Sequence, residues 1–273
     1  SLGLNFSPSP ISVAAFSTSA PLPKVMSQAL FSRKFSMPNG LEPDRSAMMI
    51  GVSTARSIAT FWKVTVLPWL LKLIRSTVPL TTKVFDGSTW HDIVHKVDEG
   101  PRASTLEGLG KLRPAFAAKG SVTAGNSSQM SDGAAATLIA ARDVAEAKGL
   151  PILGVLRSYQ VVGVPPEIMG VGPRYAIPKA LEKAGIELSD VGLFEINEAF
   201  ASQAVYCVRD LGIDESLVNV NGGAISLGHP LGCTGAKLTA TLLHEMKRRD
   251  VRYGVVSMCI GGGMGAAAVF ERV

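Results

Sequence analysis

The sequence has few of the residues on which several protein classes depend. Only three cysteines occur in 273 residues, and no two have the spacing of metal ligands, so a disulfide framework is excluded and a reducing compartment is favoured. Aromatic residues make up 6% of the chain, too few for the aromatic-rich surface of nucleic-acid readers. With 47% hydrophobic and 18% charged residues, most of the chain can bury a core and is not intrinsically disordered.

The positive charge is confined to the first part of the chain. The net charge is +5, but residues 1–80 carry eight Lys and Arg against two acidic residues, and residues 81–273 carry nineteen against twenty. The nearly neutral remainder has no basic stripe with interleaved aromatics, which argues against nucleic-acid binding. Residues 57–80 are apolar, but Lys63, Lys72, Arg75 and Pro68 interrupt them, so we reject a membrane-spanning helix.

From about residue 98 onward, helical and extended patterns alternate, which predicts an α/β fold. We expect a polar connector over residues 102–116 and a loop over 121–132, followed by an alanine-rich helix that ends at Gly149 and Pro151. The predicted helices are residues 133–148, 176–184, 199–211 and 237–249. The predicted strands are residues 152–162, 191–196, 253–259 and 266–271.

Three short stretches at the ends of these elements contain residues that can carry chemistry. Asn197 follows the strand over 191–196 and is either a helix N-cap or a polar group of a site. His229 stands between a glycine and a proline, which hold the backbone rigidly, and is either a packed residue or a general base. Cys259 is either an inert buried thiol or part of a site in which the following glycines, beginning with Gly261, offer unobstructed N–H groups to an oxyanion.

The glycine cluster also matches a dinucleotide-binding fingerprint loosely, at Gly261, Gly263 and Ala266. A phosphate-binding turn of that kind must lead into a helix within a βαβ unit. The residues that remain, 267–273, are typical of a terminal strand instead. We therefore interpret the match as coincidental.

In this order and spacing, the three stretches resemble the thiolase family, and residues 120–273 resemble its peroxisomal 3-ketoacyl-CoA members. The similarity is densest at residues 124–128, 149–172, 197–203, 221–235 and 255–271. The resemblance implies the thiolase fold, two similar α/β halves in αβαβα layers, of which this chain would hold the C-terminal half and lack the N-terminal half. It divides the chain into an anomalous segment 1–77, a remnant of the loop domain 78–125 and a C-terminal domain 126–273.

The resemblance also implies an activity, the thiolytic cleavage of 3-ketoacyl-CoA by coenzyme A in fatty-acid β-oxidation. His229 would be the base that activates a nucleophilic cysteine, and Cys259 the acid and base for the acetyl-CoA carbanion. Asn197, through a water, would form a thioester oxyanion site with His229, and Gly261 is counted with these catalytic residues.

Coenzyme A is implied as a substrate, with no cofactor and no metal. By the same resemblance, Ala124 and Ser128 would contact it, Ala199 and Phe200 would lie in its binding site, and Arg102 would lie close to the nucleotide phosphates. A homodimer and a peroxisomal location are implied as well, with the mitochondrion and the cytoplasm as alternatives.

One part of the family's chemistry has no counterpart in this sequence. The nucleophilic cysteine of the family lies in the first half, at a helix N-terminus, and nothing like its motif precedes Cys207. Cys207 falls within a predicted helix, and Cys233 lies where the family does not require sulfur. We therefore expect this chain to be inactive alone. The alternative is a non-catalytic acyl-CoA-binding or interaction protein derived from the thiolase fold.

The anomalous segment has its own interpretation. Residues 1–41 contain no acidic residue and are rich in Ser, Ala and Pro, which is typical of a transit peptide or of an unstructured tail. In a shifted reading frame, the codons for Trp62 and Lys63 yield Glu, and those for Lys63 and Val64 yield Ser or Gly, which resembles a charged helix of the family. We therefore interpret about 55–75 as translated out of frame and 1–35 as unrelated sequence.

Overall fold

The computed structural model describes residues 11–15, 53–55, 76–98 and 100–273. Its strands are β1 Ile11–Ala15, β2 Ser53–Ala55, β3 Ser76–Phe85, β4 Trp90–Val97, β5 Gly133–Ala135, β6 Thr137–Ala141, β7 Gly154–Gly163, β8 Val191–Ile196, β9 Tyr253–Ile260 and β10 Met264–Glu271. Its α-helices are α1 Leu106–Gly110, α2 Arg142–Ala147, α3 Gly172–Ala184, α4 Ala201–Asp210, α5 Ala224–Leu227 and α6 Thr234–Arg249. Apart from residues 11–15 and 53–55, the segment 1–75 lies outside the described residues. The predictions of a transit peptide over 1–41 and of an out-of-frame stretch over about 55–75 fall on it.

The main sheet has six strands in the order β6-β1-β7-β10-β9-β8. Its neighbours are antiparallel except for β8 and β9, which run parallel. The carboxyl ends of β8 and β9 therefore lie at the same edge of the sheet. Two smaller ladders, β2 with β5 and β3 with β4, complete the strand pairing of the described residues.

Hydrophobic clusters cover both faces of the sheet. On one face, Ile177 and Leu181 of α3 pack with Phe194 and Ile196 of β8. On the other face, Leu193 joins a cluster formed with the buried side of α6, which consists of Leu238, Leu242, Leu243 and Met246. Because β8 is buried on both faces, it reads as a nearly continuous apolar run, as central strands do. The described chain is thus α/β with helices on both sides of one sheet.

The helix predicted over residues 133–148 is wrong in its first nine residues, 133–141. Those residues form β5 and β6, and only Arg142–Ala147 is helical. Alanine favours helices, but β6 pairs along its whole length with β1, from Ile11 opposite Ala141 to Ala15 opposite Thr137. Tertiary pairing therefore overrides local propensity here. Residues 11–15, expected to be unrelated sequence, occupy the position between β6 and β7.

The other predicted elements are confirmed, with changes at their ends. The strands over 152–162, 191–196, 253–259 and 266–271 appear as β7, β8, β9 and β10. The helix α3 begins at Gly172, with Pro173 in its first turn, and stops at Gly185 in the left-handed conformation, φ 69°. The connector over 102–116 contains α1, whose N-cap Thr105 accepts a hydrogen bond from Gly108 N at 3.0 Å. No helix within the described residues is long and apolar enough to cross a bilayer.

Candidate functional site

The parallel pair β8 and β9 brings two of the predicted site residues to one edge of the sheet. Asn197 directly follows β8, and its backbone N donates to Ser257 O of β9 at 2.9 Å. Cys259 lies two residues further along β9 and is half-buried. Asn197 is 1% exposed, so its side-chain amide is a polar group buried in the protein interior.

His229 reaches the same edge from the loop between α5 and α6. Its backbone N donates to Gln129 O at 2.9 Å, and Met130 forms a parallel bridge with it. Gly228 before it has φ 86°, and a Cβ there would overlap the Ser131 side chain. Glycine is needed at that position because the left-handed backbone and the close loop both exclude a side chain. The loop over 121–132 thus holds the His229 loop in place.

The hydrogen bonds of the imidazole determine its tautomer. The Thr234 hydroxyl donates to Pro230 O at 3.0 Å, and its oxygen lies 2.6 Å from His229 Nδ1. Since the single hydroxyl proton is already used, Nδ1 must carry the proton and donate to Thr234 Oγ1. Nε2 is then left with its lone pair, 3.4 Å from Asn197 Nδ2, which can donate to it. His229 is arranged as a neutral base that acts through Nε2.

The electrostatic environment keeps His229 neutral. Burial lowers the pKa of His229 below its ordinary value, and the charge of Lys237 lowers it further. Lys237 donates to Gly228 O at 2.9 Å, next to the histidine in the chain. Burial also lowers the pKa of Lys237 and raises the pKa of the Cys259 thiol. Near neutral pH the site therefore combines an unprotonated imidazole with a protonated thiol.

Asn197 has one hydrogen-bonding atom to spare. Its Oδ1 is buried and has no partner among the described residues. A buried unpartnered oxygen calls for an explanation, such as an ordered water or a ligand group that donates to it. The alternative role of Asn197 as a helix N-cap is wrong, because α4 starts only at Ala201 and Phe200 occupies its N-cap position.

The glycine cluster forms the turn between β9 and β10. Gly261 is exposed, and a Cβ there would meet nothing within 4 Å, so the backbone at this point is open to a ligand. Gly262 and Gly263 have φ 89° and 97°, a conformation that favours glycine. The segment after the turn is the strand β10, which agrees with the exclusion of a dinucleotide-binding turn.

Four of the five residues implied for coenzyme A lie on two segments that pair with each other. Ser128 N donates to Ala199 O at 2.9 Å, and Ser127 forms an antiparallel bridge with Phe200. Ala124 lies on the same loop, which borders an open cavity of about 490 Å³ lined by Leu109, Gly110, Leu112, Pro114, Gly120, Ser121, Thr123, Gly125 and Asn126. Arg102 is exposed and precedes α1, so its assignment to the nucleotide phosphates stays a prediction.

Sequence reasoning missed the residues that support the site. Thr234 orients the His229 ring, and Gln129 anchors the His229 backbone. Lys237 places a positive charge nearby, which lowers the pKa of His229. Glu195 of β8 is 2% exposed, and burial raises its pKa to about 8 despite the nearby Lys237. A polar residue inside an otherwise apolar strand was the available signal for Glu195. Thr234 had none, because its role depends on the turn of the chain after Pro230.

The two remaining thiols are closed off from the surface. Cys207 and Cys233 are both 0% exposed. Cys207 donates its thiol to Gly170 O at 3.7 Å, and burial raises its pKa to about 11. A reactive cysteine needs exposure and a thiolate, so Cys207 is poorly suited to act as a nucleophile.

Comparison with known proteins identifies relatives of most of the chain. Residues 72–143 match the family model of the thiolase N-terminal domain, and residues 150–272 match that of the thiolase C-terminal domain. The chain is 67% identical over 197 residues to the Rattus norvegicus protein named 3-ketoacyl-CoA thiolase B, peroxisomal, with 71% of this chain and 46% of that protein covered. The Homo sapiens peroxisomal 3-ketoacyl-CoA thiolase is also 67% identical over 197 residues, with the same shares covered.

Solved structures show the same partial relationship. Human mitochondrial 3-ketoacyl-CoA thiolase superposes with a TM-score of 0.65 at 46% identity, covering 71% of this chain and 49% of that one. The dimeric peroxisomal thiolase of Saccharomyces cerevisiae gives a TM-score of 0.63 at 56% identity, covering 71% and 48%. The chain spans about half the length of the relatives it matches.

Proposed function

The chain belongs to the thiolase family, and on that premise we propose that its site serves the thiolytic cleavage of 3-ketoacyl-CoA to a shortened acyl-CoA and acetyl-CoA. The observation that carries the proposal is that three groups meet at one edge of the sheet. They are the His229 imidazole with an unprotonated Nε2, the protonated Cys259 thiol, and the buried Asn197 amide with an unpartnered oxygen. A carbon–carbon cleavage next to a ketone needs a base, a proton source and an oxyanion site, and these groups can supply all three.

The first half-reaction uses the base and the acid in turn. His229 Nε2 takes the proton of a nucleophilic thiol, and the resulting thiolate attacks the 3-keto carbonyl. The tetrahedral adduct breaks its carbon–carbon bond and releases the enolate of acetyl-CoA, while the acyl group stays on the nucleophile. Cys259 donates its thiol proton to the enolate carbon, which yields acetyl-CoA and leaves Cys259 as a thiolate.

The second half-reaction returns the site to its starting state. The Cys259 thiolate takes the thiol proton of coenzyme A, which attacks the acyl thioester. The nucleophile leaves as a thiolate and recovers its proton from the His229 imidazolium, and acyl-CoA departs. During these steps the imidazolium Nε2–H, together with a water held by Asn197 Oδ1, donates to the thioester oxygen.

The nucleophile is the part that these 273 residues do not supply. The first cysteine of the chain is Cys207, and both Cys207 and Cys233 are fully buried. We therefore propose that the chain by itself has no thiolytic activity and needs a thiolase N-terminal half. A cleavage assay with acetoacetyl-CoA and coenzyme A tests this. Turnover above background that disappears in Cys233→Ser would overturn it.

The roles of His229 and Cys259 can be separated after the N-terminal half of the rat relative is fused to residues 78–273. His229→Ala should suppress transfer of an acyl group from a simple acyl-CoA to the nucleophile. Cys259→Ala should still allow slow acyl transfer but abolish exchange of the acetyl-CoA methyl protons with deuterated water. Normal proton exchange in Cys259→Ala would show that the acid and base assignment is wrong.

The pairing of the Ser128 loop with the Ala199 and Phe200 segment favours a second candidate, a non-catalytic acyl-CoA-binding protein, because these contacts involve no nucleophile. The Ala124 and Ser128 loop, paired with Ala199 and Phe200, would then bind the coenzyme without turning it over. Isothermal titration of the 273-residue chain with acetyl-CoA, followed by the assay on the fusion, separates the two. Binding together with an inactive fusion would favour this second candidate.

Location and assembly follow from the relatives by analogy. We place the protein in the peroxisome, because the Rattus norvegicus and Homo sapiens relatives carry that word in their names. Organelle fractionation of the natural protein checks this, with mitochondrial or cytoplasmic recovery as the contrary result. We expect a homodimer, like the yeast neighbour, and light scattering coupled to size exclusion would measure it.

A further inference from the structure

We propose that Glu198 is a positioning residue that sets the distance between Asn197 and His229. The proposal rests on the proposed function only in that it gives these two residues a shared role. Its evidence is a set of hydrogen bonds that connects the end of β8 with the segment leading to His229. Glu198 is half-buried, and it directly follows Asn197 in the chain.

The carboxylate of Glu198 joins two donors from the same downstream segment. Its Oε1 accepts from Asn219 Nδ2 at 2.9 Å, and its Oε2 accepts from the backbone N of Ile225 at 3.2 Å. Ile225 is the second residue of α5, so the carboxylate satisfies a backbone donor that the helix itself leaves free. A carboxylate suits this position because both partners are donors and it offers only acceptors.

Asn219 fastens the other side of the connection. Its Oδ1 accepts from Ile196 N at 2.8 Å, and its Nδ2 donates to Ile196 O at 2.8 Å. Its own backbone N donates to Phe194 O at 2.8 Å, with φ at 46°, a conformation that asparagine tolerates better than most residues. The residues on both sides of Asn197 are therefore tied to Asn219.

The Glu198 carboxylate is closely packed against the backbone of the segment that leads to His229. Gly223, the residue before α5, lies against the carboxylate so closely that a Cβ there would overlap it. The segment from Gly223 to Gly228 is held by two backbone hydrogen bonds. Leu227 N donates to Gly223 O at 3.0 Å, and Gly228 N donates to Ala224 O at 2.8 Å. The next residue is His229. A displacement of the carboxylate is thus transmitted to the histidine over a single helical turn.

Two substitutions should disturb this connection in different ways. Glu198→Gln keeps the shape but turns an amide NH₂ toward one of two donors, so one hydrogen bond must be lost. Gly223→Ala keeps the carboxylate and pushes it away. Both variants should give the same defect if position rather than charge is what Glu198 supplies. Glu182→Gln, which changes an exposed carboxylate on α3, is the matched control.

Amide hydrogen exchange on the 273-residue chain provides the first readout. In Glu198→Gln and Gly223→Ala, the amides of Leu227 and Gly228 should exchange faster by about tenfold or more, because a hydrogen bond to a charged acceptor is among the stronger ones. Amides of α3 and of β10 should keep their wild-type rates. Uniform acceleration over the whole chain would indicate a loss of global stability instead and would overturn the proposal.

The titration of His229, followed by NMR with ¹⁵N-labelled histidine, provides the second readout. When its loop relaxes, the imidazole gains solvent and its pKa should rise toward the ordinary value of about 6.5 in both variants. A purely electrostatic role predicts the opposite sign for Glu198→Gln, because removing a negative charge disfavours the imidazolium. An unchanged or lowered pKa in Glu198→Gln would overturn the positioning role.

These readouts do not depend on turnover. If they fail while the fusion cleaves 3-ketoacyl-CoA, only the positioning role of Glu198 is refuted. If they hold while the fusion is inactive, only the proposed function is refuted. Should Glu198→Gln fail to fold, Gly223→Ala alone decides, because it retains every hydrogen-bonding group and has an ordinary backbone conformation, φ −106°.

Discussion

Replacing Thr234 by valine should change which nitrogen of His229 carries the proton. Thr234 is 3% exposed, and valine has nearly its shape, so the substitution removes the hydroxyl and little else. Pro230 O keeps hydrogen bonds from the backbone N of Cys233 at 3.0 Å and of Thr234 at 3.2 Å. The only group left without a partner is therefore His229 Nδ1–H, which has its acceptor at 2.6 Å in the wild type.

The size of the effect follows from that single loss. Leaving a buried donor unsatisfied costs about 1–3 kcal/mol. The imidazole avoids this cost by moving the proton to Nε2 while the Asn197 amide turns to present its unpartnered Oδ1 as the acceptor, so the ratio of the two tautomers should change by about 5- to 150-fold. Nε2–H then points at the Asn197 amide, and the lone pair that would act as a base is lost. In the fusion enzyme, acyl transfer to the nucleophile should slow accordingly.

Long-range ¹⁵N–¹H correlation spectra of labelled histidine measure the tautomer directly at about pH 8, where an imidazole is neutral. The chain has four histidines, and His229→Asn assigns the relevant signal. Thr239→Val is the matched control, since its hydroxyl also donates to the carbonyl four residues earlier, Gly235 O at 2.8 Å, on the same helix. The reasoning is refuted if Thr234→Val keeps the wild-type tautomer ratio or if Thr239→Val alters it equally.

Four further outcomes follow. Since the pKa of His229 is lowered on folding, the free energy of unfolding should fall as pH drops below about 6.5, and His229→Asn should flatten that slope in urea titrations. Folding raises the pKa of Glu195 from 4.5 to about 8, so the free energy of unfolding of the wild type should fall as the pH rises between these values. Glu195→Gln should therefore add up to about 3 kcal/mol near neutral pH, and an unchanged urea midpoint would contradict this. Lys237→Met should raise the His229 pKa in an NMR titration; no change would exclude the electrostatic coupling. Leu242→Ala should cost about 2–5 kcal/mol in urea denaturation, and a loss under 1 kcal/mol would contradict its placement in the core.

The elements that carry the site follow well from local patterns. Residues 191–196 form a short apolar run, and both β8 and its burial were predictable from it. The turn signals at Gly172, Pro173 and Gly185 mark the start and end of α3. Residues 133–141 are the clear failure, because an alanine-rich segment has no periodicity that distinguishes a strand from a helix.

Some residues of the candidate site can be recognised from the sequence, and others only from the structure. Asn197, His229 and Cys259 stand out in sequence because each is a reactive or polar residue next to glycine, proline or the end of a strand. Glu198 and Asn219 do not, because a carboxylate and an amide on loops are ordinary in sequence. Their importance depends on a hydrogen bond across 21 residues of chain.

The sequence alone determined which groups are available: one histidine in a rigid loop, one thiol before a glycine turn, and no cysteine before Cys207. Tertiary structure alone decided how those groups work. The parallel pairing of β8 with β9 places Asn197 and Cys259 at one edge, and the Thr234 hydroxyl selects the imidazole tautomer. Burial then sets the charge states. Strand pairing, hydrogen-bond direction and desolvation all depend on residues distant in the chain, so no local pattern encodes them.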